Sequence, residues 1–173
     1  MSVFLILLGT TFRLLPHLPN FAPISALSLF SGRHLKRRDA FLVPLASMFF
    51  SDLFISRGYY GPTQIYVYVS FILIGFLGLY LRSHRSYPSI LTASLAASLL
   101  FFLLTNFGVW ASPSSWYPRT IQGLIECYIA AIPFFRNTLA GDLFYSGLLF
   151  GGFELANRLR GIKIYNLDKN YSK

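Results

Sequence analysis

The sequence is poor in charged side chains, and above all in acidic ones. Charged residues occupy 12% of the 173 positions, and six of them are Asp or Glu. A soluble domain carries about 25%. Hydrophobic residues make up 54%, with a mean hydropathy of +0.54. Because the apolar residues lie in runs long enough to cross a bilayer, which takes roughly 20 residues per helix, the composition predicts an integral membrane protein.

Cysteine and recognisable catalytic motifs are also scarce. Cys127 is the single cysteine, which excludes a disulfide framework or a zinc cluster within one chain. His17, His34 and His84 are far apart, and the sequence contains no HExxH, GxSxG or phosphate-binding glycine loop. We therefore expect a protein that is not an enzyme and that holds neither a metal nor a cofactor.

Basic residues are plentiful, and the formal net charge is +9. They lie in short segments beside apolar runs, where Lys and Arg set the orientation of membrane proteins. This placement predicts a lipid bilayer as the partner and argues against nucleic acid.

Seven apolar stretches are separated by prolines, glycines and charged clusters. They are Ser2–Leu15, Phe21–Phe30 (extending to His34), Phe41–Ile55, Ile65–Leu81, Ile90–Ala111, Thr120–Phe135 and Thr138–Leu159. If all seven cross the membrane, the termini lie on opposite sides. If the sixth does not cross, six spans remain and both termini share one side.

The charges favour six spans. With six, eleven basic residues share the face that holds both termini, against four on the other; with seven, the division is seven against eight. The eleven are Arg33, Lys36, Arg37, Arg38, Arg82, Arg85, Arg158, Arg160, Lys163, Lys169 and Lys173, and the four are Arg13, Arg57, Arg119 and Arg136. The positive-inside rule then predicts a protein of the inner (plasma) membrane with cytoplasmic termini.

The predicted fold class is all-α: a polytopic membrane bundle of six transmembrane helices, plus a re-entrant or interfacial helix on the outer side. That extra helix is the sixth stretch, and Pro133, Arg136 and Asn137 separate it from the seventh. Irregular backbone at membrane depth must be buried in protein or line a cavity, so an outward-facing cavity is expected near it. We assign residues 1–160 to one transmembrane domain and 161–173 to a cytoplasmic basic tail.

Polar and ionisable groups in or beside apolar spans are costly and often functional. On this ground the candidate substrate-binding residues are Arg13, His17, Asn20, Asp52, Tyr66, Asn106, Trp110, Glu126, Tyr128, Arg136, Asn137 and Asp142. An aromatic-lined cavity with a few such groups is typical of small-molecule binding.

Each candidate also has a structural interpretation. Asp52 could pair with Arg57, and Glu126 with Arg119, two turns earlier on the same helical face. Asn137 is a natural N-cap for a helix that contains Asp142. The aromatic residues fit an interfacial belt, and Asn106 could cap a helix break at Gly108.

Several long phrases resemble an uncharacterised family of small bacterial membrane proteins. They include Arg13-Leu-Leu-Pro-His17-Leu-Pro-Asn20, Thr105-Asn106-Phe-Gly-Val-Trp110 and Ile132-Pro133-Phe-Phe-x-Asn137-Thr-Leu-x-Gly141-Asp142. The resemblance covers about residues 10 to 155 and implies no settled function.

More distantly, the layout is similar to the substrate-capture S components of energy-coupling factor transporters. That resemblance implies six helices, an outer pocket for a vitamin-like compound, and partners in the form of a membrane scaffold subunit and a pair of ATPases. It also implies docking through small residues such as Ala22 and Ala26, although these fall in the second stretch here. The stretch 120–135 departs from that layout.

Three functions remain open at this stage. The first is a substrate-binding subunit for uptake of a small metabolite: Arg13 or Arg136 would meet an anionic group, and Asp52, Glu126 or Asp142 an amine. Aromatic side chains would stack on a ring, and Asn106 and Asn137 would donate hydrogen bonds. The second is a non-transport structural or assembly protein whose polar groups pair with one another. The third is a membrane enzyme acting on a lipid head group with Asp52 or Glu126 as base.

Overall fold

Helices make up the fold throughout the residues that the computed structural model describes, 1–55 and 61–159. Their order is α1 (Ser2–Leu14), α2 (Ile24–His34), α3 (Asp39–Ile55), α4 (Gln64–Tyr80), α5 (Tyr87–Ala111), α6 (Ile121–Ser146), a π-helical turn (Gly147–Gly151) and α7 (Gly152–Leu159). The all-α prediction is therefore confirmed. The proposed basic tail, 161–173, and Arg57 lie outside the described residues.

Helices α1 to α6 run in alternating directions between two ends of the bundle, and α7 continues the direction of α6. At one end, the Ser2 hydroxyl at the start of α1 donates to Asp39 at the start of α3 (3.0 Å). At the other end, Arg13 in the last turn of α1 pairs with Asp52 near the end of α3. The Tyr87 hydroxyl at the start of α5 donates to Glu154 of α7. The beginning of α1 and the last helix, α7, therefore both lie at the Asp39 end of the bundle.

The described basic residues of the larger predicted group gather at that same end, which we call the basic end. They are Arg33, Lys36, Arg37, Arg38, Arg82, Arg85 and Arg158. The Arg82 guanidinium donates to the carbonyl oxygens of Gly32 and Leu35, which the end of α2 leaves without helical partners. Arg33 donates to the carbonyl oxygen of Arg85 (3.1 Å). These contacts fasten α2 to the α4–α5 connection.

Helix α2, with 11 residues, lies at the centre of the bundle. Nine of its 11 residues are buried, and it contacts α1, α3, α4, α5 and α6. Its approach to α4 depends on two glycines: a Cβ on Gly32 would lie 2.6 Å from the carbonyl carbon of Gly78, and a Cβ on Gly78 would lie 2.6 Å from the Ser28 carbonyl oxygen. Only glycine permits this backbone contact.

The sixth and seventh apolar stretches form one continuous helical rod from Ile121 to Leu159, so their prediction as separate helices is wrong. Pro133 lies inside α6, and Asn137 is a helix-interior residue, not an N-cap. An interior proline costs one backbone hydrogen bond and favours a kink, but packing can hold the helix together. Here α6 packs along α5, its most extensive neighbour. A re-entrant helix over 120–135 is therefore excluded in this structure.

Apolar side chains cover the outside of the bundle, while small polar ones fill much of the inside. On α5, outward-facing residues recur every four positions and are 40–51% exposed: Leu91, Leu95, Leu99, Leu103 and Phe107. The opposite face buries Ala93, Ser94, Ala97 and Ser98. Several buried serines satisfy their hydroxyls locally, as when Ser28 donates to the Ile24 carbonyl oxygen (3.1 Å). This partition inverts the usual soluble pattern.

Helix length does not support the expectation of six membrane spans. Among the described helices, only α5 is both long and apolar enough to cross a membrane; α1 and α4 are apolar but shorter. With 11 residues, α2 has an axial length of about 16 Å, about half of a bilayer core. In its described residues the structure is an all-α bundle containing one helix of membrane-spanning length and composition.

The spacings Ala22-x-x-x-Ala26, Ala93-x-x-x-Ala97 and Gly147-x-x-x-Gly151 predict close packing between helices inside the bundle. Ala26 and Ala97 are fully buried, so these two positions pack inside the bundle, as expected. Gly147 and Gly151 are exposed, and a Cβ at either would meet no atom within 4 Å. The prediction of internal packing is therefore wrong for Gly147 and Gly151.

Candidate functional site

A cavity of about 320 Å³ lies at the end of the bundle opposite the basic end. The ends of α1 and α3, the start of α4 and the loop before α2 supply its outer part, and α5 and α6 supply deeper residues. Its polar lining comprises Arg13, His17, Asn20, Ser25, Gln64, Thr138 and Asp142, and its apolar lining comprises Ala22, Ile24, Met48, Ile55, Val67, Phe71 and Phe101. A cavity of this size can hold a small organic molecule.

Arg13 and Asp52 form an ion pair at the side of this cavity. Asp52 is fully buried, whereas 19% of the Arg13 side chain is exposed. The Gln64 amide (2.5 Å) and the Tyr68 hydroxyl (3.1 Å) also donate to the Asp52 carboxylate. Arg13 in turn donates to the Ser51 hydroxyl (2.5 Å). Burial of both charges is tolerated because each has its opposite charge and further hydrogen bonds.

Asp142 is the second carboxylate of the region, and its surroundings differ. It is 2% exposed and lines the cavity from α6. The Ser98 hydroxyl of α5 donates to it (2.7 Å), and Ser25 of α2 interacts with the same carboxylate. One turn further along α6, Ser146 receives a hydrogen bond from Ser94 (2.9 Å). Asp142 thus joins α2, α5 and α6 through neutral hydroxyl groups.

The loop between α1 and α2 carries two of the predicted binding residues into the cavity wall. Asn20 adopts a left-handed backbone conformation (φ 63°), which asparagine tolerates better than most residues. This turn directs the chain from Pro19 into α2. The His17 ring lies close to the carbonyl oxygens of Leu18 (2.8 Å) and Arg13 (3.3 Å), so the ring folds back on its own segment.

The predicted aromatic and amide residues near the end of α5 lie outside this cavity. The Asn106 amide donates to the Phe102 carbonyl oxygen on its own helix (2.7 Å), and α5 continues through Gly108 without a break. The Tyr66 ring packs directly against Gly108. The Trp110 indole donates to the Pro118 carbonyl oxygen (2.9 Å), and the Tyr128 hydroxyl to that of Leu103 (2.8 Å).

The remaining candidates also lie away from the cavity. Glu126 is exposed and accepts a hydrogen bond from Gln122 (3.0 Å). Arg119, its predicted partner, instead donates to the Ser112 carbonyl oxygen and lies over the Trp110 ring. Arg136 is exposed and Asn137 is half-buried, both in the middle of α6.

The structure therefore brings together five of the twelve predicted residues: Arg13, His17, Asn20 and Asp142 in the cavity wall, and Asp52 directly behind Arg13. The sequence did not predict Ser25, Gln64, Ser98 or Thr138 as site residues. Their signal was available as hydroxyl or amide groups on apolar helices, with Ser94 and Ser98 four residues apart and hence on one face.

The fold and the cavity define a helical-bundle protein with an apolar exterior and a polar interior site. The chain belongs to a family of unknown function (DUF6580), which it matches over residues 1–163. Comparison with curated proteins and with solved structures found no match.

Proposed function

We propose that this protein is a membrane-embedded substrate-binding protein for uptake of a small metabolite, in the manner of the S components to which its layout is distantly similar. The observation that carries the proposal is the cavity at the end opposite the basic residues. Its wall combines an arginine, a carboxylate and an amide with seven apolar residues. Few convergent polar groups in a largely apolar pocket are typical of small-molecule sites.

The surface of the bundle supports residence in a membrane. A soluble protein of this size rarely exposes contiguous apolar patches of more than a few hundred Å². Here α1, α3, α4, α5 and α6 each present large apolar side chains outward. Only 28% of the 18-residue apolar segment of α5 is buried inside the bundle, whereas the core helix of a soluble protein is mostly buried. Shorter helices are accommodated if the bilayer thins locally or if the helices lie inside the bundle, as α2 does.

The grouping of basic residues supports an orientation. Under the positive-inside rule, the basic end faces the cytoplasm and the cavity faces outward. A substrate-binding protein for uptake needs that arrangement, because its ligand arrives from outside. Energy for uptake would come from a scaffold subunit with a pair of ATPases, since the sequence carries no phosphate-binding glycine loop.

The docking surface implied by the transporter resemblance needs revision. Ala26 is fully buried within the bundle, so it cannot meet a scaffold subunit without unfolding α2. A partner would have to contact an outer helix instead.

Mass spectrometry of small molecules extracted from the purified protein tests the proposal. We expect one metabolite to copurify with the wild-type protein and to be lost from Gln64→Ala, which alters the cavity wall. Glu126→Gln is the matched control, because Glu126 is exposed and lies away from the cavity. Equal retention by both variants, or no enriched molecule, would count against substrate binding.

Cysteine labelling tests orientation. In a Cys127→Ser background the chain has no thiol, so one cysteine can be introduced at Ser83, before α5, or at Ser114, after it; both are exposed. An impermeant maleimide added to intact cells should label Ser114→Cys, and Ser83→Cys only after lysis. Labelling of both in intact cells would refute a membrane crossing by α5.

A second function is favoured by one observation: Asn106, Trp110 and Tyr128 all spend their polar groups on backbone carbonyl oxygens. That is the arrangement expected of a structural or assembly protein. Such a protein would purify in a stable complex lacking any ATPase and without a bound metabolite.

A further inference from the structure

We propose that the cavity takes an organic cation, a molecule whose protonated amine is held by Asp142 and whose body contacts the apolar wall. This inference rests on the proposed function and names its substrate class. It follows from the charges, the burial and the shape of the site.

Among the described residues, the cavity wall holds one buried carboxyl group, that of Asp142, with no basic partner. Arg13 is the guanidinium in the wall, and it is already neutralised by Asp52. For Asp142, by contrast, residues 1–55 and 61–159 provide no arginine, lysine or histidine within ion-pair distance. Its partners are the uncharged hydroxyls of Ser98 and Ser25. A ligand bearing a positive charge completes the balance.

Burial makes that missing charge consequential. A carboxylate removed from water is costly unless an opposite charge accompanies it. Asp142 is 2% exposed, so solvent supplies little compensation. An anionic ligand would place a second acidic group beside it, and a neutral ligand would supply no charge to stabilise its ionised form, whereas a cationic ligand would.

The lining fits an ammonium group at this position. An ammonium has three N–H donors and needs three acceptors. Asp142 offers its carboxylate oxygens as acceptors. Thr138, one turn earlier on α6, also lines the cavity; its hydroxyl donates to the Phe134 carbonyl oxygen (3.1 Å), so its oxygen can still accept a hydrogen bond from the ligand. Ser25 lines the cavity on the facing helix.

The rest of the wall favours an organic cation over an inorganic one. A bare ion would occupy a small part of about 320 Å³ and would leave Ile24, Phe71 and Phe101 without contact. The rings of Phe71 and Phe101 pack together at 5.3 Å between centroids, so they present a continuous apolar and aromatic surface. That surface suits a hydrocarbon or aromatic body, and ring faces also attract cations.

Three probes of nearly equal size test the charge preference on the wild-type protein in detergent: 2-phenylethylamine, 2-phenylethanol and 3-phenylpropanoate. Isothermal titration calorimetry should give the amine an affinity roughly 10- to 100-fold above that of the alcohol, the range expected for hydrogen bonds to a charged group. The carboxylate should bind weakest. Na⁺ added at constant ionic strength should not displace the amine.

Asp142→Asn keeps the shape of the side chain and removes its charge, so it should abolish the preference for the amine over the alcohol. Glu126→Gln should retain that preference. Any of three results on the wild-type protein would overturn the inference: an alcohol that binds as tightly as the amine, competition by Na⁺, or no binding of the amine. These results need only the wild-type protein, so they decide the question even if Asp142→Asn does not fold. Copurification of an anionic or neutral metabolite that depends on the cavity would overturn the cation inference while leaving the proposed function intact.

Discussion

Loss of Arg13 should destabilise the bundle by about 3 kcal/mol, because it leaves the buried Asp52 carboxylate without its opposite charge. Breaking a buried ion pair costs roughly 3–5 kcal/mol. The lower end applies here, since Gln64 and Tyr68 still donate to the carboxylate. Asp52→Leu should cost about 2 kcal/mol, since Arg13 keeps Ser51 and is partly exposed. Replacing both members, as Arg13→Met with Asp52→Leu, should cost less than the two losses together.

The assay is thermal unfolding in detergent for the wild-type protein, the two single variants and the double variant. A loss of about 3 kcal/mol corresponds to roughly 6–12 °C for a chain of this length. The matched control is the cycle at Arg38 and Asp39, whose 3.6 Å pair involves a 79% exposed arginine side chain and should show little coupling. If the two losses at Arg13 and Asp52 add to within about 0.5 kcal/mol, the pair is not coupled and the reasoning is refuted.

Three further experiments test the packing, the long helix and the outer surface. Gly78→Ala should lower the free energy of unfolding by about 1–3 kcal/mol, measured by thermal unfolding, because the added Cβ would meet backbone atoms of α2. Gly147→Ala should raise it by about 0.5–1 kcal/mol, because the added Cβ meets no atom within 4 Å. An unchanged stability of Gly78→Ala would contradict the close contact. Spin labels at Ile125→Cys and Leu148→Cys in a Cys127→Ser background should lie about 35 Å apart, because both positions are on one helix with a rise of about 1.5 Å per residue. A measured distance below about 20 Å would instead indicate two separate helices. Leu99→Lys should reduce membrane insertion by about 3 kcal/mol if α5 crosses a bilayer, and unchanged membrane extraction would argue against that crossing.

The positions of the first five helices could be predicted closely from the sequence. The first apolar stretch, Ser2–Leu15, corresponds to α1 (Ser2–Leu14), and the fourth, Ile65–Leu81, to α4 (Gln64–Tyr80). Apolar composition and breakers such as Pro16 act locally, so they can be read from neighbouring residues. Pro133 misled because its effect depends on what packs beside it, and the extensive contact with α5 is not visible in a local window.

The site was less predictable for a related reason. Arg13 and Asp52 were both recognised, but the sequence favoured Arg57 as the partner because it is near in the chain. Among the described residues, which do not include Arg57, the partner of Asp52 is Arg13, 39 residues away on a helix parallel to α3. Asp142 was recognised as costly and polar, while its hydroxyl partners Ser25 and Ser98 were not, because serine is common and only the fold shows which serines face a carboxylate.

The contact between Gly32 and Gly78 determines where the bundle can yield. The α2 and α4 backbones touch near the basic end, and Arg82 ties the end of α2 to the same region. Helices in backbone contact cannot slide past each other without a clash, so any widening of the cavity must swing about this point as a fixed pivot. A small rotation there is magnified along the length of the helices. The largest displacement would then fall on the loop that carries His17 and Asn20, which lines the cavity.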